Sequence, residues 1–306
     1  MTIDSIFQFF YGFNIVGLDI ARHYRVSSFF SDELILGSYI VRLLPIVLWS
    51  IFFFNIDLNK NFFLLILLFS SSIISIFLSG ERTSFFLCLV IIILSLLLLK
   101  NLRNILFISV AIFSLFIFFI FYSKAGSYDP FNRMFIKTFN QITEKRVILN
   151  NDEIIKNNNN SKNFRIFSKD HEGHINLAFE LFSENKIFGI GPKGFRFYCR
   201  KVNYDPPTGV CSTHPHNIIV QIISELGLIG FIFYLIAAFF FLINFVKTFL
   251  EKKVNNKYLA FYSITLGIIV NLFPFLPSGN FFNNWISIIL YYNIGIYLYS
   301  YNEVDR

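Results

Sequence analysis

The chain has 306 residues, 55% of them hydrophobic, 20% aromatic and only 15% charged, with a mean hydropathy of +0.59, which excludes an ordinary soluble domain and describes an integral membrane protein. The net charge of +7 does not point to nucleic acid, because more than half of the 26 Lys and Arg fall in one polar stretch, residues 124–201, that also carries acids. A mixed-charge segment with a modest basic surplus suits a phosphate-bearing lipid or a membrane surface.

In residues 1–32, Asp4, Gln8, Asn14, Asp19, Arg22, His23 and Arg25 interrupt every apolar run, so this part reads as an interfacial or loop segment. Its start shows neither the basic region nor the small-residue cleavage site of a signal peptide, and targeting is expected to come from the membrane helices. Apolar runs long enough to cross a bilayer, about 20 residues, follow at 33–55, 61–79, 84–100 and 103–122, and after the polar stretch at 217–250, 258–276 and 284–301. The fold class this predicts is all-α integral membrane, with about seven transmembrane helices. Its divisions are an interfacial segment (1–32), four helices (33–122), a large loop (123–216), and three helices with a short tail (217–306).

Lys60, Lys100, Arg103, Lys247, Lys252, Lys253, Lys257 and Arg306 then share one side, which the positive-inside rule makes cytoplasmic. Arg22, Arg25 and Arg82 stand against them. The loop 123–216 is therefore expected outside, which is the periplasm of a Gram-negative cell. There Cys199 and Cys211 can form a disulfide. Within the loop, residues 150–163 are a low-complexity Asn-rich tract, residues 171–186 predict a helix, and Gly189-Ile190-Gly191-Pro192-Lys193-Gly194 predicts a sharp turn.

Chemistry concentrates where the loop meets the fifth run. His214 and His216 precede Asn217, and Gln221, Ser224 and Glu225 fall on one helical face below it. At 1.5 Å per residue that stripe descends about 12 Å. It faces either a wet cavity or neighbouring protein groups to which it hydrogen-bonds. An imidazole above it titrates near neutral pH and can act as general base toward a sugar hydroxyl. Zinc is the competing reading, with His171 and His174 at i, i+3 and His214, His216, Cys199 and Cys211 as further ligands. No CxxC or HExxH spacing supports it, so no metal is expected.

Arg42 inside the first run and Arg82 at the outer end of the second form another constellation, since guanidinium suits bidentate contact with phosphate. The structural alternatives are an Arg42–Glu225 ion pair and snorkelling of Arg82. Lys193 in its Gly-rich turn is a weaker phosphate candidate.

Thr213-His214-Pro215-His216-Asn217, followed by Gln221 and by Glu225-Leu226-Gly227-Leu228-Ile229-Gly230, resembles the C-terminal signature of the O-antigen ligase and polymerase superfamily, which includes O-oligosaccharyltransferases. Arg25-Val26-Ser27-Ser28, Gly80-Glu81-Arg82-Thr83-Ser84 and Phe188-Gly189-Ile190-Gly191-Pro192-Lys193-Gly194-Phe195-Arg196 agree with it in order. The resemblance implies a metal-independent, cofactor-free inverting glycosyltransferase of GT-C-like architecture in the bacterial inner membrane. Its donor is a glycan on undecaprenyl pyrophosphate, and its acceptor is lipid A-core or a growing glycan.

It further implies His216 as base, oriented by Asn217 or Glu225, and Arg82 on the pyrophosphate, with His214 and Gln221 lining the site. Family members carry a basic residue on the loop helix; here His171 and His174 stand in that region, and Arg196 and Arg165 are substitutes. The family has ten or more spans, so a truncated start is expected. The rival from another class is a polyisoprenoid-glycan carrier with Asn217, Gln221 and Glu225 lining a path.

Overall fold

A computed structural model describes residues 1–20, 25–124, 126, 129–143, 169–201, 211–251 and 253–305. Arg22, Arg165 and the tract 150–163 lie outside the described residues. The described residues form eleven α-helices and no β-sheet, in keeping with the predicted all-α class. They are α1 (Thr2–Tyr11), α2 (Leu36–Phe53), α3 (Phe62–Leu78), α4 (Arg82–Leu98), α5 (Arg103–Ser123), α6 (Lys137–Thr143), α7 (Lys169–Glu184), α8 (Phe195–Lys201), α9 (Ile218–Leu250), α10 (Asn256–Asn271) and α11 (Asn284–Asp305).

Seven of these, α2 to α5 and α9 to α11, coincide with the seven apolar runs. Three apolar segments, residues 36–53, 100–123 and 218–250, are long and apolar enough to cross a membrane by length and composition, and α3 and α4 are shorter apolar helices. The chain is a multi-pass membrane protein.

The bundle is centred on α10, which packs against α2 and α11 and is buried on nearly every face from Tyr258 to Ile268. Between membrane helices close approach of backbones, rather than water exclusion, governs packing. Gly267 provides it: a Cβ there would lie 1.8 Å from Asn293 Oδ1 and 3.2 Å from Pro45 Cβ.

The N-terminal segment is folded rather than extended. Its α1 packs along α3, with Ser5 Oγ donating to Ser75 Oγ at 2.8 Å. Four of the polar residues that break the apolar pattern, Asp4, Gln8, Asn14 and Arg25, turn inward. Gln8 Oε1 accepts the N–H groups of Ser27 and Ser28, Asn14 Oδ1 those of Val16 and Leu18, and Asp4 Oδ1 that of Ile15. This folded turn leads to Arg25, which reaches the C-terminal end of α3.

A second, smaller core joins Leu177, Ala178 and Leu181 of α7 to Phe195 and Cys199 of α8 and Val220 of α9. It forms a platform at the loop-to-helix junction.

Candidate functional site

Asn217 starts α9 as its N-cap. With extended backbone, its Oδ1 accepts the Val220 N–H at 3.1 Å, while Nδ2 donates to Pro274 O at 2.8 Å. His216, directly before it, holds a left-handed φ of 57°, a cost of order 1 kcal/mol or more outside glycine. Its carbonyl accepts the Ser278 N–H at 2.9 Å.

The two junction histidines then diverge in role. Nε2 of His214 lies 3.1 Å from the Ser278 carbonyl, which can only accept, so that nitrogen carries the proton and Nδ1 accepts from the Thr213 hydroxyl at 2.9 Å. Both nitrogens of His214 are committed to bracing. Burial, ahead of other causes, pushes His214 down to about 4 and keeps it neutral.

His216 is held differently: its Nε2 lies 2.9 Å from Ser212 Oγ. The rings of His214, His171 and His174 surround it at centroid distances of 4.1, 4.8 and 5.4 Å. Burial first, and then the positive charge that His214, His171 and His174 would carry, push His216 down to about 2. The result is a neutral imidazole at the mouth of α9. Four of the five histidines meet here, although no group of three His, Cys, Asp or Glu among the described residues has the geometry to hold a metal ion.

Below this junction α9 is broken. Gly227 has φ 66° and ψ −163°, so one helix ends at Leu226 and another begins at Leu228. The turn 186–194 fits into the break and takes up the freed backbone groups. The Ile190 and Gly191 N–H groups donate to the Ser224 and Glu225 carbonyls at 3.0 and 2.9 Å, and the Leu228 N–H donates to Lys186 O at 2.8 Å. Gly189 must be glycine for this docking: its φ is 67°, and a Cβ would lie 2.5 Å from the Glu225 carbonyl carbon.

Glu225 closes the joint, accepting the Lys193 N–H at 3.0 Å and the Phe195 N–H at 3.1 Å at the start of α8, and the Gln221 amide at 3.0 Å. Gln221 in turn bonds Asn280 Oδ1 and the Phe281 N–H, both at 2.9 Å. Gln221, Ser224 and Glu225 are fully buried.

Of the two alternatives for the polar stripe, a wet cavity or protein partners, the structure has the second, because the inserted turn and the α10–α11 loop supply its partners. Two expectations change here. The carboxylate of Glu225 bonds Gln221, Lys193 and Phe195 rather than orienting His216. The Gly-rich turn does not offer a phosphate cradle, since the amides of residues 189, 190, 191, 193, 194 and 195 already have acceptors within the protein.

Cys199 and Cys211 form a disulfide, with Cα atoms 5.8 Å apart, fastening α8 to the segment that carries the histidines. Arg196 on α8 has a buried Nε with no hydrogen-bond partner and exerts its charge on His214 and Glu225.

The arginine constellation forms around the turn between α3 and α4, residues 79–82. Arg25 Nε donates to Ser79 O at 2.9 Å and Arg133 Nε to Gly80 O at 3.0 Å, while Arg82 Nη1 reaches Thr138 Oγ1 at 3.4 Å. Arg133, in the π-helical turn Asn132–Ile136, is a site residue that sequence reasoning missed. Glu81 locks the turn to α2 by accepting the Gly37 and Ser38 N–H groups at 2.8 and 3.1 Å.

Arg42 is buried one turn further along α2. It bonds Ser38 and lies 5.8 Å from the Trp285 ring, so the Arg42–Glu225 pair is replaced by a local contact and a cation–π contact. The α10–α11 loop connects the two constellations, because Ser278 binds His214 and His216 while Trp285 follows it at the start of α11.

No curated protein and no solved structure matches the chain significantly. The profile described as O-antigen ligase matches residues 63–235, more than half of the chain. The matched stretch runs from α3 through Arg82, Arg133, the loop helices and the histidine junction to beyond the break in α9. The chain belongs to the O-antigen ligase family, whose members are glycosyl-transferring membrane enzymes.

Proposed function

We propose that the protein transfers a glycan from undecaprenyl pyrophosphate to an acceptor hydroxyl, the sugar of lipid A-core in the ligase reaction, at the periplasmic face of the bacterial inner membrane. The observation that carries this reading is the neutral imidazole of His216, held by Ser212 at the mouth of α9 beside three further imidazoles. His216 takes the acceptor proton as the hydroxyl oxygen bonds the anomeric carbon. The bond from that carbon to the pyrophosphate oxygen breaks with inversion, and the carrier leaves as the pyrophosphate anion.

Low basicity of the ring in the free protein is compatible with this role, because a pyrophosphate bound nearby raises an imidazole toward neutrality. Arg82, with Arg133 and Arg25 bonded to the same turn, neutralises the leaving group, the electrostatic task a metal performs elsewhere. Arg196 supplies charge from the loop side, His171 and His174 pack beside the base, and Lys193 and Arg42 border the site. The burial of Gln221 and Glu225 against protein speaks for an enzyme over a carrier, since a translocation path needs those groups open.

The test is transfer by purified protein given labelled undecaprenyl-pyrophosphate glycan, with and without lipid A-core. Movement of label to the core supports the ligase, lengthening on the carrier shows a polymerase, and unchanged product from His216→Ala overturns the assignment of the base.

A further inference from the structure

We infer that residues 186–188 form a foot that inserts into the outer-leaflet interface of the bilayer, so that the hydrocarbon begins at Gly227 and the histidine platform stands above it. Ile187 and Phe188 are 60% and 76% exposed, although both are large and apolar. A water-facing surface seldom presents such a pair side by side, whereas an interface favours an aromatic ring next to a cation such as the exposed Lys186.

The position of this pair is fixed by backbone bonds. The Leu228 N–H donates to Lys186 O at 2.8 Å and the Ile229 N–H to Ile187 O at 3.3 Å. Those bonds attach the foot to the place where α9 changes character. Before Gly227 the helix buries Ile218, Val220, Gln221, Ile222, Ser224 and Glu225 in protein. After it, Leu228 and Ile229 are 45% and 40% exposed, and the outward apolar face continues through Ile232, Phe233 and Ile236. The exposed pair is thus continuous with a lipid-facing surface, and this selects lipid over a protein partner.

Length supports the same boundary. Residues 228–250 extend about 34 Å at 1.5 Å per residue, matching roughly 30 Å of hydrocarbon, with Lys247 and its exposed partner Asp305 near the inner end. The helix before the break adds up to about 13 Å between hydrocarbon and His216.

The experiment places a nitroxide at Phe188→Cys or Ile187→Cys in full-length protein in nanodiscs of phosphatidylethanolamine and phosphatidylglycerol. Collision with oxygen and with a water-soluble nickel chelate is then compared with that of labels at Ile229→Cys and at the exposed Glu180→Cys. Cys88 is buried and Cys199 is disulfide-bonded to Cys211, which leaves the introduced thiol for labelling. Labels at 187 and 188 are expected to resemble the one at 229, with oxygen collisions several-fold above those at 180 and nickel collisions several-fold below. A nickel-accessible label like that at 180 overturns the inference, and so does a label shielded from both reagents, which indicates a protein cover. Because the readout needs no turnover, its failure is independent of the proposed reaction.

Discussion

Ser212 Oγ lies 2.9 Å from Nε2 of His216, four residues away in sequence across the bent, non-helical segment 213–216. Among the described residues it is the one hydroxyl bonded to the candidate base, and in the proposed reaction it orients the ring toward an incoming acceptor. Ser212→Ala is expected to lower kcat about tenfold with little change in donor KM, whereas His216→Ala removes the 10²–10⁴-fold that a general base supplies. Ser212→Thr should restore most of the rate. Initial rates of label transfer at saturating donor separate these outcomes.

Arg82 closes the turn and reaches Thr138 of α6, while Arg133 donates to the Gly80 carbonyl of the same turn, and the proposed reaction has both facing the pyrophosphate. Losing one charge-assisted contact costs about 1.5–3 kcal/mol. Arg133→Gln should therefore raise the donor KM roughly ten- to a hundredfold, and Arg82→Gln should do so at least as strongly. Lysine at either position should rescue only partly, because it lacks the planar fork. The check is donor titration at fixed acceptor.

Glu225 joins the first half of broken α9 to the inserted turn and the start of α8, a structural task. Glu225→Ala leaves the Lys193 and Phe195 N–H groups and one Gln221 amide hydrogen without their acceptor, at about 1–3 kcal/mol for each buried one, and should lower the thermal midpoint in detergent more than Glu225→Gln does. Gly189→Ala should reproduce the loss, since its Cβ collides with the Glu225 backbone. Protein that remains folded should keep a near-normal pH profile; a profile displaced by Glu225→Gln would return the carboxylate to the chemistry.

The Cys199–Cys211 disulfide spans 12 residues of sequence, a loop for which cross-linking contributes about 3 kcal/mol. Reduction, or Cys211→Ser, should loosen the platform while leaving the membrane bundle intact. Hydrogen exchange should then rise in α8 and at the start of α9, with α2 and α10 unchanged.

His214 sits at about 4 in the folded protein against an ordinary 6.5. Below pH 6.5 the unfolded chain takes up a proton that the folded chain refuses, so stability falls as the pH drops toward 4, by up to about 1.4 kcal/mol per unit for this group. His216, also depressed, adds to the fall. Thermal midpoints measured between pH 7 and 4.5 should show this slope, and His214→Gln should flatten it.

Hydropathy made α2 to α5 and α9 to α11 legible, since a bilayer demands long apolar runs whatever their partners. It could not reveal the N-terminal turn, because a buried Gln8 that caps backbone amides reads the same as a solvated one. The histidine junction was legible at His214 and His216, and the loop helix carrying His171 and His174 was predicted from 171–186. That α7 returns those two rings onto His216 depends on the small core of Leu177, Leu181, Phe195 and Val220, a tertiary relationship. The periodicity of Gln221 and Glu225 was correctly seen, but the break that redirects them was not. Its signal lay in Gly227 and Gly189, two glycines far apart in sequence that only docking brings together. Arg133 carried no signal of its own in a stretch rich in Lys and Arg.

The α10–α11 loop grips the junction mostly through its own main chain: the carbonyls of Pro274 and Ser278 and the amides of Ser278 and Phe281 meet Asn217, His214, His216 and Gln221, with Asn280 adding one side-chain contact. A scaffold of that kind reads path length and not side-chain identity. Substitutions between residues 274 and 281, apart from those at Gly279 and Asn280, should pass almost unnoticed, while insertion or deletion of a single residue there would move every grip at once and throw the base out of register with the arginine turn.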